Sequence, residues 1–249
     1  MVEVADAIAE ATERLARRLQ PARIILFGSR ARGDARAHSD LDLLLVLSGN
    51  QSKGEARREA SDELRGLPVA YDLIIATPEE IARRGNLVGS IYRPALREGI
   101  VLYDGGGPLE RREVSEADVR AEVQRMLDHA EADLEIAQMA MEHETQWGNA
   151  CYHSQQAVEK ALKTVFIFLQ QDYLHTHELK GLLAAIPEDW PCKSVPIDAE
   201  WLSKWVIYGR YPDGPEADEA DAQEATRQAG GVLEAVRRDL LAHGFEFRK

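Results

Sequence analysis

Fifteen residues between two short apolar runs constrain this chain more than any other part of its sequence. They extend from Gly28 to Asp42 and read Gly-Ser-Arg-Ala-Arg-Gly-Asp-Ala-Arg-Ala-His-Ser-Asp-Leu-Asp. The flanking runs, 24–27 and 41–47, are short, branched and bounded by turn residues, which predicts two buried strands. The chain therefore leaves one strand as this segment begins and enters the next strand as it ends.

Strand geometry places two acidic side chains of this segment together. Asp40 and Asp42 are two residues apart, and residues two apart on a strand lie on the same face. Leu41, between them, then points into the core. Neighbouring carboxylates repel one another unless a cation lies between them. A hard divalent cation such as Mg²⁺ fits, because it takes oxygen ligands and bridges to phosphate.

The start of the segment has the composition of a phosphate site. Gly28 allows a backbone to approach a phosphate closely, and the Ser29 hydroxyl and nearby N–H groups can donate hydrogen bonds to it. Arg30 and Arg32 follow, where cations neutralise charge on a departing phosphate. The alternative interpretation of these arginines is a solvated loop.

The pattern Gly28-Ser29, ten residues, then Asp40-x-Asp42 resembles the signature of the DNA polymerase β-like nucleotidyltransferases, in particular the minimal nucleotidyltransferases. In that family a third carboxylate comes from a later strand. The strand-like run 69–75 carries a single acid, Asp72. The spacing, the flanking strands and the third acid all agree with the family pattern.

This resemblance, over roughly residues 20–105, implies metal-assisted transfer of NMP from an NTP, with ATP as the first choice, to a hydroxyl group. The implied cofactor is Mg²⁺ or Mn²⁺. The implied catalytic and metal-binding residues are Asp40, Asp42 and Asp72. The implied nucleotide-binding residues are Gly28, Ser29 and Arg30. The alternatives are a noncatalytic relic of the same fold and an acidic turn that faces solvent.

Charge is distributed unevenly between the two halves of the chain, whose formal net charge is −13. Through Gly107 there are fifteen Lys and Arg against sixteen Asp and Glu, and the remainder has fifteen against twenty-seven. Binding to a nucleic-acid backbone requires a cationic surface, so the acidic second half argues against a nucleic-acid partner.

The segment Asp104-Gly-Gly-Gly-Pro108 interrupts every periodicity and marks the predicted domain boundary. After it, apolar residues recur every three to four positions in several long stretches, which is typical of an antiparallel helical bundle. The predicted fold is an α/β domain with a small mixed sheet over 1–106, a linker over 107–114, and an all-α antiparallel bundle over 115–249.

Three motifs in this half resemble the HEPN helical domain, over about residues 115–245. They are Tyr-His-Ser-Gln-Gln-Ala-Val-Glu-Lys-Ala-Leu-Lys over 152–163, His175-Thr-His-Glu-Leu179 and Arg210-Tyr-Pro-Asp213. Many HEPN domains are metal-independent ribonucleases that use an Arg and a following His separated by four to six residues. No His follows Arg210 at that spacing, whereas Arg238 and His243 fit it near the end of the last predicted helix.

Polar residues of these motifs are candidates for a cleft that takes a nucleotide or an acceptor. They are Gln156, Glu159, Lys160, Lys163 and Arg210. The alternative is an exposed helix face on which Glu159 and Lys163 form a pair four residues apart, worth a few tenths of a kcal/mol. A homodimer through the helical domain is a further expectation.

Cysteine usage and hydropathy predict a cytoplasmic protein. Cys151 and Cys192 lack metal-ligand spacing, and nothing in their placement suggests a disulfide. Residues 2–19 carry acids throughout and predict an amphipathic helix rather than a signal peptide. No apolar run approaches the roughly 20 residues that span a bilayer.

Three functions remain open from the sequence. The first is an NMP transferase whose helical domain shapes the nucleotide or acceptor site. Its acceptor is a small hydroxylated molecule, as in the similar aminoglycoside nucleotidyltransferases, or a protein. The second is a HEPN ribonuclease or toxin–antitoxin module that is regulated by its transferase domain. The third is a noncatalytic nucleotide-binding or scaffold protein.

Overall fold

The computed structural model of the protein describes residues 2–36, 39–49, 51–107, 109–143, 146–173, 177–208 and 216–247. The chain divides into two units, Met1–Ser115 and Glu116–Lys249. Among the helices of these described ranges, none combines the length and the apolar character that crossing a membrane requires.

The first unit alternates helices and strands. Its elements are α1 (Val2–Leu19), β1 (Arg23–Phe27), α2 (Gly28–Arg32), β2 (Leu41–Val46), α3 (Lys53–Glu63), β3 (Tyr71–Ala76), α4 (Pro78–Arg84), α5 (Tyr92–Glu98) and β4 (Ile100–Asp104). The strands form one sheet in the order β3-β2-β1-β4. Because β1 is antiparallel to β2 and β4 while β2 is parallel to β3, the predicted mixed sheet is confirmed.

Helices cover both faces of this sheet. Leu41, Leu43 and Leu45 of β2 pack in a core with α1 and α3, whereas Leu44 and Val46 pack in a core with α4 and α5. Side chains alternate along a strand with a period of two. Asp42 therefore lies on the face that α4 and α5 cover.

Two short helices depart from the sequence-based expectation. Residues 28–32, expected in an irregular connection, form α2, so Arg30 and Arg32 lie on a helical turn. Residues 92–98 form α5, which was not expected. Elements this short show no helical periodicity. Pro94 is compatible with α5 because it lies in the first turn, where a missing N–H breaks no helical hydrogen bond.

Part of the predicted linker 107–114 packs onto the first unit. The Arg112 N–H donates to the Ala82 carbonyl at 3.0 Å, and the Asn86 side-chain amide donates to the Arg112 carbonyl at 3.1 Å. Leu109 packs against the core beside α4 and α5. This stretch is therefore held by backbone and apolar contacts.

The second unit is helical. Its elements are α6 (Glu116–Ala140), α7 (Trp147–Leu169), α8 (Leu179–Ala185), a 3₁₀ helix (Pro191–Ser194), α9 (Ala199–Tyr208) and α10 (Glu219–Ala242). Helix α7 packs against α6, α9 and α10, and their buried side chains form one apolar core. The predicted all-α bundle is confirmed.

Both cysteines are free thiols in this second core. Cys151 lies on α7 and Cys192 on the 3₁₀ helix, and both are buried. Burial raises the pKa of each thiol to about 12. Since the thiolate is the reactive form, both side chains are inert at neutral pH.

Candidate functional site

Two of the candidate carboxylates lie side by side at one edge of the sheet. Asp42 of β2 pairs in parallel register with Asp72 of β3, so both side chains lie on the same face. Asp40 immediately precedes β2. Asp40 and Asp72 are exposed, whereas Asp42 is half-buried. Leu41 is fully buried on the opposite face of the sheet, as its position in the sequence predicts.

The pKa of Asp42 is affected by the charges of the other two carboxylates. Burial raises the pKa of Asp42 above its ordinary value, and the negative charges of Asp72 and Asp40 raise it further. The charges of Arg32 and Arg30 oppose this shift without cancelling it. Like charges held this way disfavour the ionised form, so the arrangement is one that a bound cation relieves.

Gly28 contacts this cluster directly. Its φ is +70°, in the left-handed region that favours glycine. A Cβ added at Gly28 would lie 2.0 Å from Oδ2 of Asp42 and 2.8 Å from its Cγ. The space that any other side chain would need is therefore occupied by the Asp42 carboxylate.

Arg30 braces the backbone that leads into β2. Its guanidinium donates to the Ser39 carbonyl, with Nε at 3.0 Å, and Nε also lies 3.2 Å from the Asp40 carbonyl. On α2 the Ser29 carbonyl accepts hydrogen bonds from two following backbone N–H groups. Arg32 pairs with Asp34 at 3.4 Å. The described contacts of Arg30 thus position Asp40, and its phosphate contact stays a prediction.

The donor chemistry of the cluster fits a hard divalent cation. Asp40, Asp42 and Asp72 supply carboxylate oxygens, which Mg²⁺ prefers, and Mg²⁺ completes its coordination with water and substrate phosphate. Over the residues that the structure describes, no three His, Cys, Asp or Glu side chains are grouped closely enough to hold a metal by themselves. The metal assignment therefore stays a prediction.

The polar motif of α7 forms a buried network in the second unit. Glu159 is 5% exposed, and its carboxylate accepts from Lys163 at 2.7 Å, from Gln155 at 3.0 Å and lies 3.0 Å from Nδ1 of His177. The expected Glu159–Lys163 pair exists, yet it is not on an exposed face, because His177 and Gln155 close around it. Glu159 thus belongs to a buried polar network, and its place in a nucleotide or acceptor cleft stays a prediction.

A second carboxylate organises the other side of α7. Asp133 of α6 is 7% exposed and contacts the Lys160 ammonium and, at 3.0 Å, Nδ1 of His153. Gln156 donates to the Gln155 side chain at 2.6 Å. The candidate cleft residues of α7 therefore divide between two networks. Arg210 lies outside the described residues.

Glu159 makes stability depend on pH. Burial alone would raise its pKa, but the charge of Lys163 and the hydrogen bonds from Lys163, Gln155 and His177 outweigh burial and lower it. A lowered carboxyl pKa stabilises the folded protein at pH values above the ordinary pKa of about 4.3. This stabilisation is lost as the pH falls through the lowered pKa.

We expect Glu159→Gln to destabilise the protein by roughly 1.5–3 kcal/mol at pH 7. The difference from wild type should shrink as pH falls toward 3 in urea titrations. Glu135→Gln, at an exposed position of α6, is the matched control and should change neither quantity.

His243 is packed as a structural residue. Its ring stacks on Trp190 with centroids 4.2 Å apart, and Nδ1 lies 2.8 Å from the Asp239 carbonyl. Arg238 is exposed on α10. These contacts explain the position of His243 without pairing it with Arg238 in a nuclease site.

The buried acids of α6 were not identified from the sequence. Asp118, Glu122 and Asp133 lie on the same buried face of the helix as Val123 and Leu127. Acidic residues at positions of an apolar stripe are the signal that would have indicated buried pairing, since buried charges require it. Asp133 pairs with Lys160 of α7, and Glu122 pairs with Arg125 of α6.

Comparison with known proteins identifies a family for each unit. Residues 8–101 match the family model of the nucleotidyltransferase domain, and residues 123–239 match that of the HEPN domain. The two matches fall within the two units that the contacts define.

Individual relatives cover the chain to different extents. A protein of Methanocaldococcus jannaschii named "Putative toxin" is 29% identical over 140 residues, 49% of this chain and 90% of that protein. The crystal structure of an archaeal HEPN homologue is 31% identical over 47% of this chain and 95% of its own, with a TM-score of 0.37. Spectinomycin adenyltransferase from Enterococcus faecialis, solved with ATP and spectinomycin, is 13% identical and has a TM-score of 0.52 over 94% of this chain and 99% of its own. The last comparison is a likeness of fold.

Proposed function

We propose that this chain moves NMP from an NTP to a hydroxyl group with the help of Mg²⁺. The chain belongs to the nucleotidyltransferase family through its first unit and to the HEPN family through its second. One observation carries the proposal. The Asp42 carboxylate lies against the backbone of Gly28, in register with Asp72, and its pKa is raised by burial and then by the neighbouring acids. Perturbed acids at such an edge are typical of functional sites.

The proposed reaction is an in-line substitution at the α-phosphorus. The acceptor oxygen forms a bond to this phosphorus, the bond to the β-phosphate oxygen breaks, and pyrophosphate leaves. Asp40 and Asp42 would hold a divalent cation, whose bound charge supplies neutralisation for the triphosphate. Asp72 accepts the proton of the acceptor hydroxyl. Arg30 keeps Asp40 in place through the carbonyls that it contacts.

The nucleotide and the acceptor belong to the same proposal. ATP is the first nucleotide to test, because the fold neighbour from Enterococcus faecialis was solved with ATP. That neighbour also contained spectinomycin, so a small molecule is the first acceptor class to test and a protein hydroxyl is the second. We expect the transfer to take place in the cytoplasm, on an acceptor of one of these two classes.

Incubation of the full chain with α-³²P-labelled ATP, Mg²⁺ and a cell lysate tests the function. The expected result is release of unlabelled pyrophosphate and transfer of label to a protein or a small molecule. Omitting Mg²⁺ and substituting Asp42→Asn are the controls, and both should abolish transfer. Nucleotide binding without transfer to any acceptor would favour a noncatalytic nucleotide-binding protein instead.

Loss of Asp72 should affect turnover more than nucleotide binding. Asp72→Ala is expected to reduce NMP transfer by at least ~100-fold, or roughly 2.7 kcal/mol of barrier. Asp72 acts on the attacking hydroxyl, whose proton is lost only as the new bond forms, so its removal raises the barrier and leaves the ground state nearly unchanged. Initial rates and ATP titrations of the same variant separate the two effects. Normal turnover by Asp72→Ala would remove it from the mechanism.

A HEPN-type ribonuclease or toxin–antitoxin module is the second candidate function. The HEPN match and the toxin relative favour it, whereas the packed position of His243 does not. Incubation of the full chain with RNA in EDTA tests it. RNA cleavage that disappears in Arg238→Ala, at an exposed position, would favour the ribonuclease.

A further inference from the structure

Helix α6 carries large apolar side chains on a face that the core of the bundle does not cover. Ile136 is 44% exposed and Met139 is 66% exposed, and residues three apart on a helix are neighbours. Ala132, four residues before Ile136, is exposed as well. The buried residues Ala130 and Ala137 lie on a different face of the same helix. Apolar positions spaced by four and then three residues form a stripe of the kind that packs against a second helix.

A groove extends from this stripe to the first turns of α7, and its volume is about 640 Å³. Its apolar side is formed by Ile136, Met139 and Ala140, and its polar side by Gln146, Asn149 and His153. Hydrogen bonds hold the polar side in place. Nδ1 of His153 lies 3.0 Å from the Asp133 carboxylate, and the Asn149 amide donates to the Gln146 side chain. This α6–α7 groove is therefore formed before any partner binds, which lowers the entropic cost of binding.

Acidic residues follow the outer edge of the stripe at intervals of seven. They are Asp128, Glu135 and Glu142, and all three are exposed. Seven residues are close to two helical turns, so the three carboxylates lie on one side of the helix. Asp128 accepts a hydrogen bond from Gln124 at 2.7 Å, and no Lys or Arg of the described ranges forms an ion pair with any of the three acids. Their charge adds to that of the second half of the chain, which has fifteen Lys and Arg against twenty-seven Asp and Glu.

The charge of this edge determines which partner fits the groove. Two copies of the stripe packed on each other would bring the acids of one chain close to those of the other, and like charges across an interface are unfavourable. The backbone of a nucleic acid and the surface of an anionic membrane are disfavoured for the same reason. A partner with cationic residues is attracted instead. Apolar residues and cationic flanks at helical spacing occur together in a basic amphipathic helix, which binds in apolar grooves of this kind.

We propose that the α6–α7 groove binds a basic amphipathic helix of a partner protein. Apolar side chains of that helix, three to four residues apart, contact Ile136 and Met139. Its Lys and Arg side chains lie along Asp128, Glu135 and Glu142. This interaction surface belongs to the second unit and does not depend on the NMP transfer proposed for the first.

A model peptide tests the proposal with the full chain. The probe is a fluorescein-labelled peptide of about 18 residues, with leucine at the positions that face the groove and lysine elsewhere. A second peptide, with glutamate in place of every lysine, controls for apolar contact alone. We expect fluorescence anisotropy to show saturable binding of the lysine peptide and none of the glutamate peptide. Binding of the lysine peptide should weaken as ionic strength rises from about 0.05 M to about 0.5 M.

Variants at exposed positions separate the groove from the overall charge of the protein. Met139→Gln keeps a good helix former but removes an apolar anchor, and it should weaken binding of the lysine peptide about tenfold. Glu135→Lys should weaken binding about fivefold, because it places a cation where the lysines of the peptide lie. Glu55→Lys changes the net charge by the same amount at an exposed position of α3 in the first unit, and it should change the affinity less than about twofold.

Equal losses of affinity in Glu55→Lys and Glu135→Lys would overturn the proposal, because net charge alone would then attract the peptide. Unchanged binding by Met139→Gln, or no saturable binding by wild type, would remove the groove as a docking site. Equally tight binding of the glutamate peptide would remove the requirement for a basic partner. A wild-type chain that sediments as a dimer, together with a Met139→Gln variant that sediments as a monomer, would assign the groove to a second copy of the chain instead.

Discussion

Asp42→Asn is expected to abolish NMP transfer and to raise the melting temperature of the ligand-free protein. Transfer should fall by at least ~1,000-fold, or about 4 kcal/mol of barrier. Asn keeps the shape of Asp42 but removes the negative charge that would hold the cation. The same substitution removes a carboxylate whose ionised form is disfavoured by burial and by Asp72 and Asp40. Activity and stability should therefore change in opposite directions, as is common for functional sites.

The sign of the stability effect follows from the raised pKa of Asp42. A raised carboxyl pKa means that the folded protein binds this proton more tightly than the unfolded chain does. Ionised Asp42 then lowers stability at neutral pH, and this penalty disappears as pH falls through the raised pKa toward the ordinary value. The stability gain of Asp42→Asn should be largest near pH 7 and should vanish near pH 4.

Thermal melts with and without Mg²⁺ and ATP measure both effects. Wild type should be stabilised by the two ligands together, whereas Asp42→Asn should respond weakly. Asp62→Asn, at an exposed position of α3, is the control and should behave like wild type. A ligand-free Asp42→Asn variant that melts below wild type, or one that transfers NMP normally, would contradict the assignment of Asp42.

The sequence predicts those features of the site that depend on local strand geometry, but not those that depend on long-range strand pairing. A strand period of two predicts that Leu41 points away from the face shared by Asp40 and Asp42. The structure places Leu41 in the core accordingly. The register between Asp42 and Asp72 depends on parallel pairing of β2 with β3 across an intervening helix. No local pattern specifies that pairing, because it is fixed by long-range packing. The third acid could therefore be named from the family pattern but not positioned.

The polar residues of α7 show the same limit. Glu159 and Lys163 were expected as a pair because they lie four residues apart, and they are one. Whether the pair faces solvent or a core depends on Gln155 and on His177, which comes from a separate segment. Lys160 likewise takes its partner, Asp133, from α6. The spacing of side chains on one helix predicts which residues pair, but it does not predict whether the pair is buried.

Gly28→Ala is the second substitution with a large expected effect. An alanine Cβ would lie 2.0 Å from Oδ2 of Asp42, which is too close for either group to remain in place. The left-handed backbone at Gly28 adds roughly 1–2 kcal/mol of strain for any residue with a Cβ. Displacement of a reacting group by about 1 Å can cost ~100-fold in rate, so transfer should fall by at least that factor.

Gly33→Ala separates the clash from the strain. Gly33, at the end of α2, has a φ of +83°, and nothing lies within 4 Å of an added Cβ. Gly33→Ala should therefore share the backbone strain of Gly28→Ala without its clash, so it should lose less stability and retain most of the transfer activity. Initial rates and melting temperatures of the two variants, measured side by side, test this difference. Equal losses of activity would mean that backbone strain alone, rather than contact between Gly28 and the Asp42 carboxylate, makes glycine necessary at this edge of the sheet.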